Sequence, residues 1–309
     1  MVTSLPPLAL IAGPTASGKS GLALALAEAT GGVTINADSA QLYHDLDILS
    51  ARPSPADLAR AEHRLYGVLD GADPCSAARW AAMARAEIDS IQTMGRLPIL
   101  VGGTGLYLRT LLDGIAPIPP INPAVRDEVR TADVAANRAS LIALDPVAAA
   151  RLGPADTTRI ARALEVVRST GKPIGAWHAA RSGGIAGDVA LRPLLLLPPR
   201  DWLFPRCDAR FAAMLDGGAL GEVEALLARG LDFELPVMRA IGVREVAGLV
   251  RGELTRAEAL AAGAQATRRY AKRQYTWFAN QPPAGWTRFT APLEEGSLSA
   301  ALAMLAPGA

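Results

Sequence analysis

The sequence predicts an α/β protein: a P-loop parallel-sheet core with helices on both faces and a mostly helical insertion domain. Three observations predict it. Gly13-Pro14-Thr15-Ala16-Ser17-Gly18-Lys19-Ser20 fits the phosphate-loop pattern G-x-x-x-x-G-K-[ST] without mismatch, between an apolar run at 8–12 and an Ala/Leu-rich stretch at 21–29. Short apolar runs recur at 33–37, 97–101 and 191–197, the first two of them after helical stretches, as in parallel strands joined by helices. Ahead of the last run the composition shifts: Pro117, Pro119, Pro120 and Pro123 make a stiff connection, and 125–171 reads as helix, turn and helix. The domains are therefore the first part of the core at 1–115, a helical insertion at 116–188, and the second, mostly helical part of the core at 189–309.

Composition sets the bounds. At 309 residues, half of them hydrophobic with Ala and Leu dominant, the chain has ample core and favours helices over sheets. A formal net charge of +1 is no global basic signature, so any nucleic-acid contact must come from local patches. Cys75 and Cys207 lie far apart without metal-ligand spacing, so reduced thiols are expected. The first twelve residues lack the basic start of a signal peptide, and no apolar run is long enough for a membrane span. A cytoplasmic monomer without a membrane partner is expected.

The phosphate loop aims successive backbone N–H groups and the positive end of a helix dipole at one spot. Lys19 adds a full charge and the Ser20 hydroxyl can ligate Mg²⁺, so the site wants a di- or triphosphate. The strand at 33–37 ends at Asp38-Ser39-Ala40-Gln41. Carboxyl ends of parallel strands face the ligand, so Asp38 belongs beside the loop, as metal ligand or base; a plain helix cap is the other reading. Residues 45–76, with His63 and Tyr66, read as a loop-rich excursion. A helix at 76–94, closed by Gly95, precedes the strand at 97–101, whose end is Gly102-Gly103-Thr104-Gly105. This puts Thr104 on the same face, flanked by glycines that allow close packing.

In the insertion, Ala155-Asp156-Thr157 opens the second helix and Gly171-Lys172-Pro173 closes it, and 182–188 is Gly-rich and weakly ordered. Such an insertion suits a lid or substrate clamp. The last third reads as helical. Helices at 207–215 and 221–229 are separated by Gly217-Gly218, and Arg206 and Arg210 share a face. Arg239 and Arg244 bracket a short apolar step. Residues 268–278 hold no acidic residue and interleave cations with aromatics, which can contact phosphates and stack bases, or divide into a core face and a solvated face. These features alone indicate a phosphate-loop enzyme with a lid, usually a small-molecule kinase. No apolar strand ends in an acidic residue as a second nucleotide motif would, unless Asp38 takes that part.

Beyond these features, the strings Gly13 to Ser20, Asp38-Ser39-Ala40-Gln41-Leu42-Tyr43 and Gly102-Gly103-Thr104-Gly105-Leu106-Tyr107 resemble the tRNA dimethylallyltransferase family, in its bacterial form. Asp145-Pro146-Val147-Ala148-Ala149, Arg159-Ile160-Ala161-Arg162-Ala163-Leu164-Glu165-Val166, the run 206–215 and Lys272-Arg273-Gln274-Tyr275-Thr276-Trp277-Phe278 match it in order. The resemblance implies transfer of a dimethylallyl group from dimethylallyl diphosphate to N6 of the adenine 3′ to the anticodon of tRNA, with an ATP-dependent small-molecule kinase as the alternative.

It implies Asp38 as general base, Thr104 near the reacting centre, and Arg210 with Gly13, Pro14, Thr15, Ala16, Ser17, Gly18, Lys19 and Ser20 on the diphosphate. Mg²⁺ would be held by Ser20. The anticodon stem-loop would meet Asp38, Ser39, Ala40, Gln41 and Thr104 at the centre. Arg126, Thr158, Arg159 and Arg162 in the insertion, and Arg239, Arg244, Lys272, Arg273 and Trp277 in the core, match tRNA-contacting stretches. Asp38 is expected to be ionised at neutral pH, its adjacent cations lowering its pKa rather than raising it. Three departures stand out. Leu49-Ser50 replaces Gly-Thr, Val243 replaces an aromatic, and Arg79-Trp80 stands where Asp-Phe is usual. The phosphate loop, Asp38 and Thr104 are untouched, so the departures bear on the 49–50 turn and on tRNA preference.

Overall fold

Strands of a parallel sheet covered on both faces are short runs of aliphatic residues, and the computed structural model, which describes residues 4–305, holds four such runs. β1 (Pro7–Ala12) is the most enclosed, with Leu8 through Ala12 wholly buried. It leads through the phosphate loop into α1 (Lys19–Thr30), then β2 (Val33–Asn36), a 3₁₀ turn at Ala40–Leu42 and α2 (Pro55–Arg60). β3 (Glu62–Arg64), α3 (Ala77–Thr93), β4 (Pro98–Gly102) and α4 (Gly105–Asp113) follow. The chain divides into two compact units, one of residues 1–109 and 186–309, the other of residues 110–185.

The smaller unit contains α5 (Pro123–Thr131), α6 (Val134–Leu144), α7 (Pro146–Arg151), α8 (Thr157–Thr170) and α9 (Ile174–Ala179) around Leu141, Ile160 and Leu164. The helix-turn-helix expected at 125–171 is thus four helices. Asp133 and Asp145 are the reason, since their carboxylates accept the Ala135 and Ala148 N–H groups at 2.9 and 3.0 Å and start new helices. The stretch expected to be weakly ordered is tied down at its start. Ile115 and Ser182 exchange backbone hydrogen bonds at 3.0 and 3.2 Å, and a Cβ at Gly184 would lie 2.3 Å from the Leu112 carbonyl oxygen.

The larger unit resumes with β5 (Ala190–Leu196), α10 (Arg200–Asp216), α11 (Ala219–Ala228), α12 (Val243–Val250), α13 (Arg256–Asn280), β6 (Thr287–Phe289) and α14 (Glu295–Ala303). Its sheet runs β3-β2-β4-β1-β5-β6, all parallel. Ile11, Leu22, Leu26, Ile99, Leu194 and Phe289 join sheet and helices in one core.

Two edge strands depart from the sequence reading. β3 lies in the stretch expected to be loop and β6 in the third expected to be helical. Both are three residues long, and β3 is Glu62-His63-Arg64, so neither carries an apolar alternation to read. Arg96 and Arg64 both pair with Glu62, and charge of this kind suits an open sheet edge. α10 also starts earlier than expected and runs through Pro205. Packing of Leu203 and Cys207 on Ala16 and Ala271 holds that turn in place despite the missing N–H.

Candidate active site

The site forms where β1, β2 and β4 end side by side. Gly18, with φ at 94°, sits in the left-handed conformation that turns the loop into α1, a position that favours glycine. Lys19 folds back so that Nζ donates to the Pro14 carbonyl at 2.6 Å. The loop is braced from two distant helices. The Gln274 amide of α13 accepts the Thr15 N–H at 2.8 Å and donates to the Gly103 carbonyl at 2.9 Å, joining the phosphate loop to the end of β4. Arg206 of α10 donates through Nε to the Ala16 carbonyl at 3.2 Å. Ser17 is buried with no partner for its hydroxyl, and Ser20 is exposed.

The glycines flanking Thr104 do admit close packing. A Cβ at Gly103 would fall 2.1 Å from Gln274, and one at Gly105 would fall 2.4 Å from the Trp277 ring. Gly105→Ala is therefore expected to destabilise the protein by about 1–3 kcal/mol, the usual cost of overpacking, read as a lowered Tm. An unchanged Tm would mean that α13 gives way freely at this contact.

Asp38 is held by a turn built from buried groups. Its N–H donates to Asn36 Oδ1 at 2.7 Å, while Asn36 Nδ2 donates to the Asp38 and Leu65 carbonyls, both at 3.0 Å. Trp80 donates its indole N–H to the Asn36 carbonyl at 2.9 Å and stacks on Tyr107 with centroids 4.8 Å apart. The Trp80 departure is thus a wholly buried support of the Asp38 turn. One Asp38 oxygen accepts the Ala40 N–H at 3.1 Å, so the carboxylate caps the 3₁₀ turn and also faces the cavity. Thr104 accepts the Ser39 N–H at 3.0 Å and donates its own N–H to Ala37, fixing β4 to the β2 end.

Electrostatics correct one expectation. Burial pushes the Asp38 carboxyl above the usual carboxylate range, outweighing the pull of Lys19, of the Ala40 hydrogen bond and of Arg210. The cations were expected to win; desolvation does, the carboxyl being half-buried in the cavity that it lines together with Tyr107 and Tyr270. The same burial pushes Lys19 down to about 8, with Asp38 opposing and Arg210 assisting. Arg210 is lowered by burial too, against the attraction of Asp38.

Asp38, Thr104, Thr15 and Arg210 share a cavity of about 410 Å³ with an apolar wall of Leu49, Phe211, Met214 and Ile241. Ser39, Ala40, Arg239 and Tyr270 also line it. Gln41 is turned aside: its amide donates to the Ser50 and Ala51 carbonyls at 3.0 and 2.8 Å. Arg239 is exposed, with Glu234 at 3.4 Å. Arg244, Lys272 and Arg273 are exposed, and Trp277 is half-buried with the Arg109 guanidinium 5.3 Å from its ring centroid. In the smaller unit Arg126, Thr158, Arg159 and Arg162 are all exposed; Arg159 pairs with Asp156 at 3.2 Å, and Arg162 lies 3.7 Å from the buried Glu165. Val243 is buried, so this departure sits in the core of α12 rather than on a stacking surface. The sequence did not single out Gln274 or Glu222; Gln274 could have been suspected as the one uncharged polar side chain amid the cations and aromatics of 268–275.

Known proteins resemble this chain in sequence and fold. The profile of the IPP transferase family matches residues 41–281, and that of isopentenyl transferases matches residues 6–73. The chain belongs to the IPP transferase family. Among relatives of this transferase, the tRNA dimethylallyltransferase of Sphingopyxis alaskensis is 62% identical over 282 residues, covering 91% of this chain and 92% of its own. That of Erythrobacter litoralis is 58% identical over 288 residues, covering 92% and 91%. The full-length tRNA isopentenylpyrophosphate transferase of Bacillus halodurans superposes with a TM-score of 0.68 at 30% identity, over 96% of this chain and 97% of its own. A eukaryotic dimethylallyltransferase acting on tRNA gives 0.76 at 28% identity, over 88% and 69%. No helix among the described residues of this family member is long and apolar enough to cross a membrane.

Proposed function

We propose that the chain is a tRNA dimethylallyltransferase, moving a dimethylallyl group from dimethylallyl diphosphate to N6 of the adenine 3′ to the anticodon, in the cytoplasm. The observation that carries the reading is one cavity in which a half-buried carboxylate, Asp38, faces an apolar wall and shares its field with Lys19 and Arg210. The diphosphate lies on the loop N–H groups, Lys19 and Arg210, which stabilise the charge gathering on the departing oxygen as the allylic C–O bond breaks. The N6–carbon bond forms, diphosphate leaves, and Asp38 takes the N6 proton, without which the ring-delocalised nitrogen is a poor nucleophile. Thr104 hydrogen-bonds substrate beside it. Ser20, an exposed hydroxyl opening α1 beside a loop of backbone groups, offers the hard oxygen that Mg²⁺ prefers and would hold the ion, whose charge helps to neutralise the diphosphate.

The adenine must leave its loop stack to reach Asp38. Arg239, Arg244, Lys272, Arg273 and Trp277 supply exposed cations and a ring for the anticodon stem-loop, and Arg126, Thr158, Arg159 and Arg162 make the insertion its clamp. The test is incubation with Mg²⁺, labelled dimethylallyl diphosphate and unmodified tRNA, then nucleoside mass spectrometry, with AMP and ATP alone as controls. Prenylated adenosine next to the anticodon is expected. ATP consumption with no label in tRNA or AMP would overturn the reading in favour of a kinase.

The pH dependence follows from the two shifted groups. Asp38 must be ionised to accept a proton, so kcat/KM is expected to fall as pH drops through its raised pKa. Lys19 must be protonated to hold diphosphate, so kcat/KM is expected to fall again above about 8. A profile flat from acid to alkaline would remove both groups from the rate-determining chemistry.

A further inference from the structure

The irregular segment from Leu46 to Ala51 forms one wall of the cavity through Leu49 and Ser50, yet its backbone is held largely by side chains from elsewhere in the chain. Glu222, in the first turn of α11, is the centre of this arrangement. One of its carboxylate oxygens accepts the N–H groups of Asp47 and, at 2.7 Å, Ile48; the other accepts that of Leu49 at 2.9 Å. Three consecutive backbone donors on one carboxylate are charge-assisted bonds, about twice as strong as neutral ones. Seven residues on, and so on the same side of the helix, Arg229 pairs with Asp45 and with Asp70, the latter at 2.6 Å. Gln41 holds the far end at Ser50 and Ala51, and Ser50 donates its hydroxyl to the Leu46 carbonyl at 2.6 Å.

The segment so fixed brings Leu49 against Gly242, where the Phe211 ring also packs. A Cβ at Gly242 would fall 2.9 Å from both side chains, and one at Gly263 would fall 2.0 Å from the Phe211 ring, which leaves that ring no room to retreat. We propose that Glu222 is a positioning residue that, through Leu49, sets the depth of the apolar end of the cavity and so restricts the donor to a short allylic chain. This rests on the prenyl-transfer reading above. The wall is made by an electrostatic clamp rather than by regular structure. Loosening the clamp should therefore deepen the cavity without touching Asp38 or the phosphate loop.

The experiment compares the wild type, Glu222→Gln and Glu222→Ala with tRNA and either dimethylallyl or geranyl diphosphate, and follows amide exchange at Asp47, Ile48 and Leu49. Pocket discrimination of roughly 10- to 200-fold per methylene sets the scale, so Glu222→Ala is expected to raise KM for dimethylallyl diphosphate about tenfold and to cut its preference over geranyl diphosphate by about the same factor. The loss in kcat should be smaller and KM for tRNA unmoved. Glu222→Gln keeps one acceptor oxygen and is expected to fall between, with faster exchange at Leu49 than at Ile48. An unchanged donor preference, whatever happens to Tm, or a rise in KM for tRNA alone would overturn the proposal. If Glu222→Ala does not fold, Glu222→Gln decides by the same two readings. Should the wild type transfer no dimethylallyl group, the prenyl-transfer reading fails first, and amide exchange in Glu222→Gln still tells whether the clamp exists.

Discussion

Asp38→Asn is expected to lower kcat for dimethylallyl transfer by about 10²- to 10⁴-fold, the range that a positioned general base contributes. Asn keeps the size of the side chain and can still accept the Ala40 N–H, so the 3₁₀ turn should stand. What it cannot do is take a proton. Donor binding should survive, since removing the carboxylate removes an anion from beside the diphosphate. An indirect effect falls on Lys19, which Asp38 helps to keep protonated; the Lys19 pKa should fall further, narrowing the alkaline side of the profile. Single-turnover kinetics with pre-bound donor, alongside calorimetric binding of dimethylallyl diphosphate, separates the two effects. Lost binding with undiminished turnover of the bound complex would remove Asp38 from the role of base.

Arg210→Ala is expected to cost about 10²–10³ in kcat, or roughly 2.7–4 kcal/mol, if the guanidinium acts on the departing diphosphate as an oxyanion-hole donor acts on its intermediate. A second consequence distinguishes it from a binding defect. Arg210 is one of the charges that hold the Asp38 pKa down against burial. Without it that pKa rises, and the acid limb of kcat/KM should move to higher pH. Arg210 also pushes Lys19 down, so its removal should move the alkaline limb upward as well. Both limbs shift in the same direction, which no simple loss of affinity would produce. Arg210→Lys is expected to restore the limbs better than the rate, because an ammonium replaces the charge but not the forked donor geometry. A rate loss with both limbs in place would put Arg210 at the diphosphate only and outside the field of Asp38.

The sequence by itself determined the parts of this protein whose signals are local. The phosphate loop is eight contiguous residues with a strand before and a helix after, and its spacing is its chemistry. The strands β1, β2, β4 and β5 read out as apolar runs because a sheet covered on both faces buries most of the residues in them. From these, Asp38 and Thr104 could be placed just past the ends of two strands, and the structure has both there, lining one cavity. The Pro-rich shift read from the sequence lies near residue 117, whereas the second compact unit begins at Thr110, inside α4.

Tertiary structure decided what depends on partners distant in the chain. Gln274 meets Thr15 across a separation of 259 residues, and Glu222 meets the Asp47 to Leu49 turn across more than 170; no periodicity announces either. The short edge strands β3 and β6 exist because a neighbour offers hydrogen bonds, not because their residues are apolar. α10 runs through Pro205 because buried contacts at Leu203 and Cys207 outweigh one missing bond. The ionisation of Asp38 is the clearest case. Its charged neighbours are visible in the sequence, and charge alone argues for a low pKa. Desolvation is set by what surrounds the carboxyl in three dimensions, and only the folded chain gathers Asp38, Tyr107 and Tyr270 into one cavity, where burial reverses the sign.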